Sequence, residues 1–139
     1  MKYKRFGADI AVRLDKGDEL VEKLKEIAVK EDIPFASVSG IGAVGSAVTG
    51  YFDTGERRFK SSELTGDLEI VSLCGIINKM NGEAYLHLHM SIADENSKVY
   101  GGHLSKAVIS GTGEIVLHCI DAETDRCFDE ETGLNIIKF

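Results

Sequence analysis

The sequence predicts an α+β fold, sandwich-like, with one main amphipathic helix and a mainly antiparallel sheet of about seven strands. The length of 139 residues suits a single domain over residues 1–139 with one core. Apolar residues make up 43% of the chain and charged residues 28%, which is typical of a folded globule. Only one segment has helical periodicity, whereas strand-like segments separated by turns fill most of the remaining chain.

The helix is predicted near residues 17–30. Its apolar face is formed by residues at the spacing of successive helical turns, namely Leu20, Val21, Leu24, Ile27 and Ala28. Asp15 or Asp18 is expected to cap the start of the helix, and Pro34 requires that the helix has ended.

The remaining elements are predicted as strands. In chain order they cover residues 3–14, 35–39, 44–52, 57–60, 67–77, 84–93, 106–109 and 114–120. Residues 53–56 form a turn, and residues 67–77 are apolar on both faces, which is typical of a central strand. The apolar side chains near the end of the chain are expected to dock as a last strand, with Leu134, Ile136, Ile137 and Phe139.

A glycine motif at Gly40, Gly42 and Gly45 has the spacing of a dinucleotide-binding fingerprint. That chemistry needs a helix to begin at the motif, so that the helix N-terminus faces the pyrophosphate. Residues 46–52 are instead strand-like. The sequence therefore predicts a flexible turn between two strands and no nucleotide site.

The charge of the chain disfavours nucleic acid as a partner. Lys and Arg number 16 against 23 for Asp and Glu, which gives a net charge of −7. Such a surface repels phosphate backbones, so contact with DNA would need a local basic patch. The densest basic stretches, residues 2–5 and 57–60, are short, and no residue is assigned to DNA binding.

The cysteines and the N-terminal residues predict a cytoplasmic protein. Three cysteines, without a secretion signal, indicate a reducing compartment. Cys74 and Cys119 lie in apolar runs and are predicted to be in the core, whereas Cys127 lies in a polar stretch. No apolar stretch approaches the roughly 20 residues that span a bilayer, so no membrane contact is expected.

The chemical focus of the sequence is a pair of histidines on a predicted strand. Residues 84–93 alternate, so that the even positions form a core face and the odd positions carry His87 and His89 on the other face. His103 follows Gly101 and Gly102, which are expected to form a tight backbone turn that brings this third imidazole to the pair.

Three imidazoles suit zinc or another divalent transition metal, with an open fourth position for water or a ligand. A His-x-His pair on a strand also occurs simply as polar surface, so this alternative stays open. His118 lies within an apolar run and is expected to be an ordinary strand histidine.

An enzymatic role is the alternative to a binding role. A metal-bound water needs a general base, and Glu95 would share the histidine face if the strand continued beyond residue 93. The arrangement is also similar to the first cupin motif, but its spacing differs and the second cupin motif is missing. No residue is assigned a catalytic role, and a non-enzymatic protein is favoured.

Several segments together resemble one known family. They are residues 82–104, which include Leu86–His89 and Val99–Leu104, with residues 39–44, 50–53 and 66–75. These residues are similar to the plants-and-prokaryotes-conserved (PPC) domain, which accompanies AT-hook motifs in plant nuclear proteins and usually stands alone in prokaryotes. The resemblance covers nearly the whole chain.

The resemblance carries its own expectations. It implies an α/β fold with a major antiparallel sheet, a homotrimer, and a regulatory role with predicted DNA binding. It also implies a metal site in some members at the positions of His87, His89 and His103. The AT-hook itself is absent from this sequence. The alternative is a metal-dependent enzyme or a small-molecule-binding protein that uses the same histidines.

Overall fold

The computed structural model describes all 139 residues and confirms the predicted fold class, with eight strands and one helix. The elements in chain order are β1 (Lys2–Phe6), β2 (Asp9–Leu14), α1 (Leu20–Lys30), β3 (Ala36–Asp53), β4 (Arg58–Met80), β5 (Glu83–Ala93), β6 (Val99–Cys119), β7 (Asp125–Asp129) and β8 (Leu134–Lys138).

Six strands form one antiparallel sheet in the order β1-β2-β6-β3-β4-β5. The sheet also closes on itself, because β6 pairs with β3 along most of its length and with β5 through residues 99–103. Strands β3, β4, β5 and β6 therefore form a closed ring of pairings. β7 and β8 form a separate two-stranded hairpin that contacts β4.

The core lies between the sheet and α1. The helix packs against β5 and β6 and buries the apolar face that the sequence predicts, with Leu20, Leu24, Ile27 and Ala28. On β5 the buried side chains are Leu88, Met90 and Ile92. Each fully buried Leu or Ile contributes about 1.5–3 kcal/mol. The alternation of β5 thus fixes which of its faces is left for other chemistry.

The helix begins later than predicted, and its capping residue differs from both candidates. The cap is Glu19, whose carboxylate accepts hydrogen bonds from the backbone amides of Val21 at 3.2 Å and Glu22 at 2.8 Å. It also accepts one from the amide of Ala107 on β6 at 2.9 Å. Asp18 instead accepts a hydrogen bond from the amide of Asp15. The longer Glu side chain reaches both the helix and the sheet, which neither aspartate does.

We expect the substitution Glu19→Ala to lower the free energy of unfolding by about 1–3 kcal/mol, because three amides lose their acceptor. Glu26→Ala is the matched control, since Glu26 makes only a surface ion pair with Lys23 and should change stability by less than about 0.5 kcal/mol. Urea denaturation of both variants measures this. Equal stabilities would show that the cap contributes nothing.

The predicted turn at the glycine motif is wrong. Gly40, Gly42 and Gly45 lie inside the single strand β3, which has register shifts between Gly40 and Gly42 and between Val44 and Ser46. Gly42 has a φ of +150°, and a Cβ there would meet the carbonyl oxygen of Thr112 on β6. The glycines permit close approach of two long, irregular strands. No helix begins at the motif, in agreement with the rejection of a nucleotide site.

Several further expectations differ from the structure. The strand predicted over residues 3–14 is two strands, β1 and β2. The strands predicted separately at 106–109 and 114–120 belong to the one strand β6, because its partners β3 and β5 pair with it almost continuously. Cys74 is exposed and Cys119 is only half-buried, so neither belongs to the core. Residues 67–77 were predicted to be apolar on both faces, but Val71 and Cys74 are exposed on the face opposite the core. None of the chain's helical structure is both long and apolar enough to traverse a bilayer.

Candidate metal centre

The pairing of β5 with β6 places two histidines directly opposite each other. His89 on β5 is the register partner of His103 on β6. Side chains at such opposite positions have Cβ atoms about 4.5–5.5 Å apart. His87 lies two residues away on β5 and therefore projects from the same face as His89. Strand register alone thus brings the three imidazoles of His87, His89 and His103 together.

The three rings are close to one another without touching a carboxylate. Their centroids are 5.3 Å apart for His87 and His89, 5.2 Å for His87 and His103, and 5.6 Å for His89 and His103. One nitrogen from each ring lies within 4.8 Å of the others. Nitrogens bound to a tetrahedral zinc ion at about 2.1 Å are about 3.4 Å apart, so small ring rotations would complete the arrangement.

The glycines before His103 do not form the predicted turn. Gly101 and Gly102 lie within β6, where they pair with Ser91 and Met90 of β5. A Cβ at Gly101 would meet the carbonyl oxygen of Met90, and a Cβ at Gly102 would meet that of Gly50 on β3. Gly102 also has a φ of +151°. These glycines let β6 fit closely between two neighbouring strands, and His103 reaches the cluster through register.

The surroundings of His87 and His103 favour the neutral form of these two imidazoles. Burial lowers the pKa of His87, and the nearby His103, Arg126 and His89 lower it further. Burial also lowers the pKa of His103, with a smaller effect from His89. Neutral imidazole is the form that coordinates metals, so both side chains are ready to bind near pH 7 without first losing a proton.

A pocket of about 840 Å³ opens beside the cluster. One wall carries the three histidines, and the other is formed by the β7–β8 hairpin. The lining is largely apolar, with Phe52, Phe59, Ile76, Leu134, Ile136 and Ile137. The ring of Phe59 contacts His103 edge-on, with centroids 5.4 Å apart. This volume is within the range of about 300–1,000 Å³ that is common for small-molecule sites.

Other candidate groups lie outside the cluster. His118 is exposed and its Nδ1 lies 2.7 Å from Asp9 Oδ1, as expected for an ordinary strand histidine. Strand β5 ends at Ala93, so it does not continue to Glu95, which was the condition for Glu95 to share the histidine face. Asp94 instead begins a turn, and its carboxylate accepts hydrogen bonds from the amides of Asn96 and Lys98.

Sequence reasoning missed Arg126. It lies on β7 and lines the pocket, and only 5% of it is exposed. The sequence around Arg126 is polar and gives no sign that this arginine is buried. Its burial depends on how the β7–β8 hairpin packs against the sheet.

Comparison with known proteins identifies the family. The Plants and Prokaryotes Conserved (PCC) domain model matches residues 1–121, and the chain therefore belongs to this family. This confirms the resemblance described above, since PCC and PPC denote the same domain. The match ends before the β7–β8 hairpin that forms one wall of the pocket. A search among curated proteins found no match.

Solved structures from three prokaryotes are similar over almost their whole length. A protein of Archaeoglobus fulgidus described as metal-containing is 36% identical, with 98% of each chain covered and a TM-score of 0.86. A candidate DNA-binding protein of Bacteroides thetaiotaomicron is 30% identical, with 99% of this chain and 96% of that chain covered and a TM-score of 0.96. A PPC protein of Pyrococcus horikoshii is 27% identical, with 99% and 94% covered and a TM-score of 0.87.

Proposed function

We propose that this PCC-domain protein binds one divalent transition metal ion per chain through His87, His89 and His103. The observation that carries the proposal is the convergence of one nitrogen from each ring to within 4.8 Å. The description of the Archaeoglobus fulgidus relative as metal-containing supports it. Zinc is the first candidate, because three imidazoles and one open position form a common zinc site.

A binding role is favoured over catalysis. A bound zinc ion would supply Lewis-acid chemistry to a ligand oxygen in its open position. Metal-assisted hydrolysis also needs a general base, and no Asp, Glu or Lys lines the pocket. The remaining polar side chains there, apart from the histidines, are mainly Tyr51, Tyr85, Arg126 and Asn135, which suit ligand binding. The alternative metal-dependent enzyme therefore has less support than a small-molecule-binding protein.

Titration of metal-free protein with zinc and with cobalt tests the proposal. We expect one ion per chain by calorimetry and by elemental analysis after dialysis. Binding should also raise the melting temperature, since a ligand at 1,000 times its dissociation constant stabilises the folded state by about 4 kcal/mol. Failure of both ions to bind, or retention of several ions per chain with no change in melting temperature, would contradict the proposal.

We further propose that the chain forms a homotrimer, as the family resemblance implies. Exposed apolar side chains on the sheet, including Val71 on β4 with Val99 and Val116 on β6, support self-association. Light scattering should give three times the chain mass of 15.1 kDa. A mass equal to one chain would count against the trimer.

DNA binding is a second candidate, which the description of the Bacteroides thetaiotaomicron relative supports. Three of the six basic side chains in the two dense basic stretches are paired with carboxylates. Arg5 pairs with Glu31, Arg58 with Glu56, and Lys60 with Asp53. Together with the net charge of −7, these ion pairs disfavour phosphate contacts. Binding in a gel shift at low salt that weakens as salt rises would support DNA binding, and no shift at low salt would exclude it.

We place the protein in the cytoplasm. Its three cysteines are unpaired, and free thiols are typical of proteins in a reducing compartment.

A further inference from the structure

Arg126 is a buried cation held by neutral groups. Its Nε donates a hydrogen bond to Asn78 Oδ1 at 2.7 Å, and its Nη1 donates one to the carbonyl oxygen of Asn135 at 2.8 Å. The guanidinium carbon lies 4.6 Å from the centroid of the Tyr85 ring. Asn78 is itself completely buried. The side chain is therefore fixed in one position between β4, β5 and the hairpin.

No carboxylate of the chain pairs with this guanidinium. Arg126 is 5% exposed and takes part in none of the ion pairs of the structure. A buried charge is costly unless a partner of opposite charge is near. Nη2 donates no hydrogen bond within the chain. Every side-chain nitrogen that is fully enclosed has a hydrogen-bond partner, so Nη2 is not fully enclosed. Nη2 is therefore accessible, and Arg126 lines the pocket beside the histidines.

We infer that this pocket binds a small organic carboxylate with an apolar body, and that Arg126 receives its carboxylate group. A carboxylate oxygen would accept a hydrogen bond from Nη2, a charge-assisted contact of the strong kind. The second oxygen would be free to contact another partner in the pocket, such as a metal ion held by the three histidines. This last part rests on the proposed function, whereas the contact with Arg126 does not.

The lining defines the rest of the ligand. Its apolar body would contact Phe52, Phe59 and Ile136, which belong to β3, β4 and the hairpin. A pocket of about 840 Å³ is too small for a macromolecular anion but accepts an aromatic or branched aliphatic acid. Arg126 is the one Lys or Arg in the lining, so a single carboxylate matches the charge of the pocket better than a polyanion.

Benzoate and its neutral isostere benzamide provide the first test. Both are titrated into wild-type protein, metal-free and zinc-loaded, with calorimetry as the readout. We expect benzoate to bind at least about ten times more tightly than benzamide, because the amide carbonyl still accepts a hydrogen bond but lacks the negative charge that strengthens it. Benzoate should also shift the side-chain NMR resonance of Arg126 Nε. Equal affinities, or an unshifted Arg126 resonance, would overturn the inference.

Variants at Arg126 provide the second test. Arg126→Gln should weaken benzoate binding at least tenfold and benzamide binding much less, and Arg126→Lys should have a smaller effect on benzoate. Arg58→Gln is the control with the same change of net charge, since Arg58 is exposed and pairs with Glu56. Unchanged benzoate affinity in folded Arg126→Gln would contradict the inference. If circular dichroism shows that this variant is unfolded, the wild-type comparison decides.

The same titrations separate this inference from the proposed function. If metal-free protein prefers benzoate over benzamide, the Arg126 site is supported. If the same chain also fails to bind zinc or cobalt, the metal proposal is contradicted while the Arg126 site stands. Metal binding without any preference for benzoate would have the opposite meaning.

Discussion

Replacing His89 with alanine is expected to lower the affinity for zinc by more than about a hundredfold. Even the loss of a group that only orients a metal ligand commonly costs about 10–100-fold, and His89→Ala removes a ligand itself. His89 is the register partner of His103 and the neighbour of His87 on its strand, so the two remaining imidazoles would hold the ion alone. Competition with a chromophoric chelator measures the change.

His118→Ala is the matched control for this prediction. His118 is also a strand histidine, but it is exposed and contacts Asp9 rather than the cluster. Its loss should leave zinc affinity within about twofold of the wild-type value, because exposed substitutions away from a site have small effects. Equal losses of affinity in both variants would show that the metal does not bind at the proposed centre.

Gly102→Ala is expected to lower the free energy of unfolding by about 3 kcal/mol or more, and to weaken zinc binding as well. A Cβ at this position would meet the carbonyl oxygen of Gly50, which belongs to the backbone of β3 and cannot simply rotate away. The φ of +151° adds strain for any residue other than glycine. Relief would require β6 to move away from β3, and His103 would move with it.

Gly66→Ala separates the two causes. Gly66 has a φ of +129°, but no atom lies within 4 Å of the position that its Cβ would occupy. This variant carries backbone strain alone and should lose only about 1–2 kcal/mol with normal zinc binding. Urea denaturation of both proteins gives the comparison. Equal stability of the two variants would show that the contact between β3 and β6 is not the reason for glycine at position 102.

The sequence was sufficient for the elements with strong local periodicity. The apolar face of α1 and the alternation of β5 are repeated over several residues, so propensity and burial agree there. Strand β3 was divided in the prediction at Gly40 and Gly42, and the start of β6 was predicted as a turn at Gly101 and Gly102, because glycines have the composition of turns. Their actual role is to let neighbouring backbones approach, and that depends on pairings between residues far apart in the chain.

The residues of the candidate site could be predicted from the sequence only in part, for the same reason. His87 and His89 lie on one face because residues of a strand alternate between its two faces. His103 was predicted because it follows Gly101 and Gly102 and because the family resemblance implies it. His103 lies beside the pair because it is opposite His89 in the pairing of β5 with β6. The sequence of one strand does not determine its register with another. Arg126 was not found, because its burial requires the hairpin to close over β4 and β5.

X-ray absorption spectroscopy on the zinc-loaded protein tests the central claim most directly. We predict three imidazole nitrogens at about 2.0–2.1 Å from the zinc ion, with one further oxygen or nitrogen in the open position. His118→Ala should give the same spectrum, and zinc-loaded His89→Ala should show fewer imidazole neighbours around the metal than the wild-type protein. A sulfur neighbour at about 2.3 Å, which would come from a cysteine such as Cys74, or a shell of oxygen atoms without imidazole, would contradict the three-histidine centre.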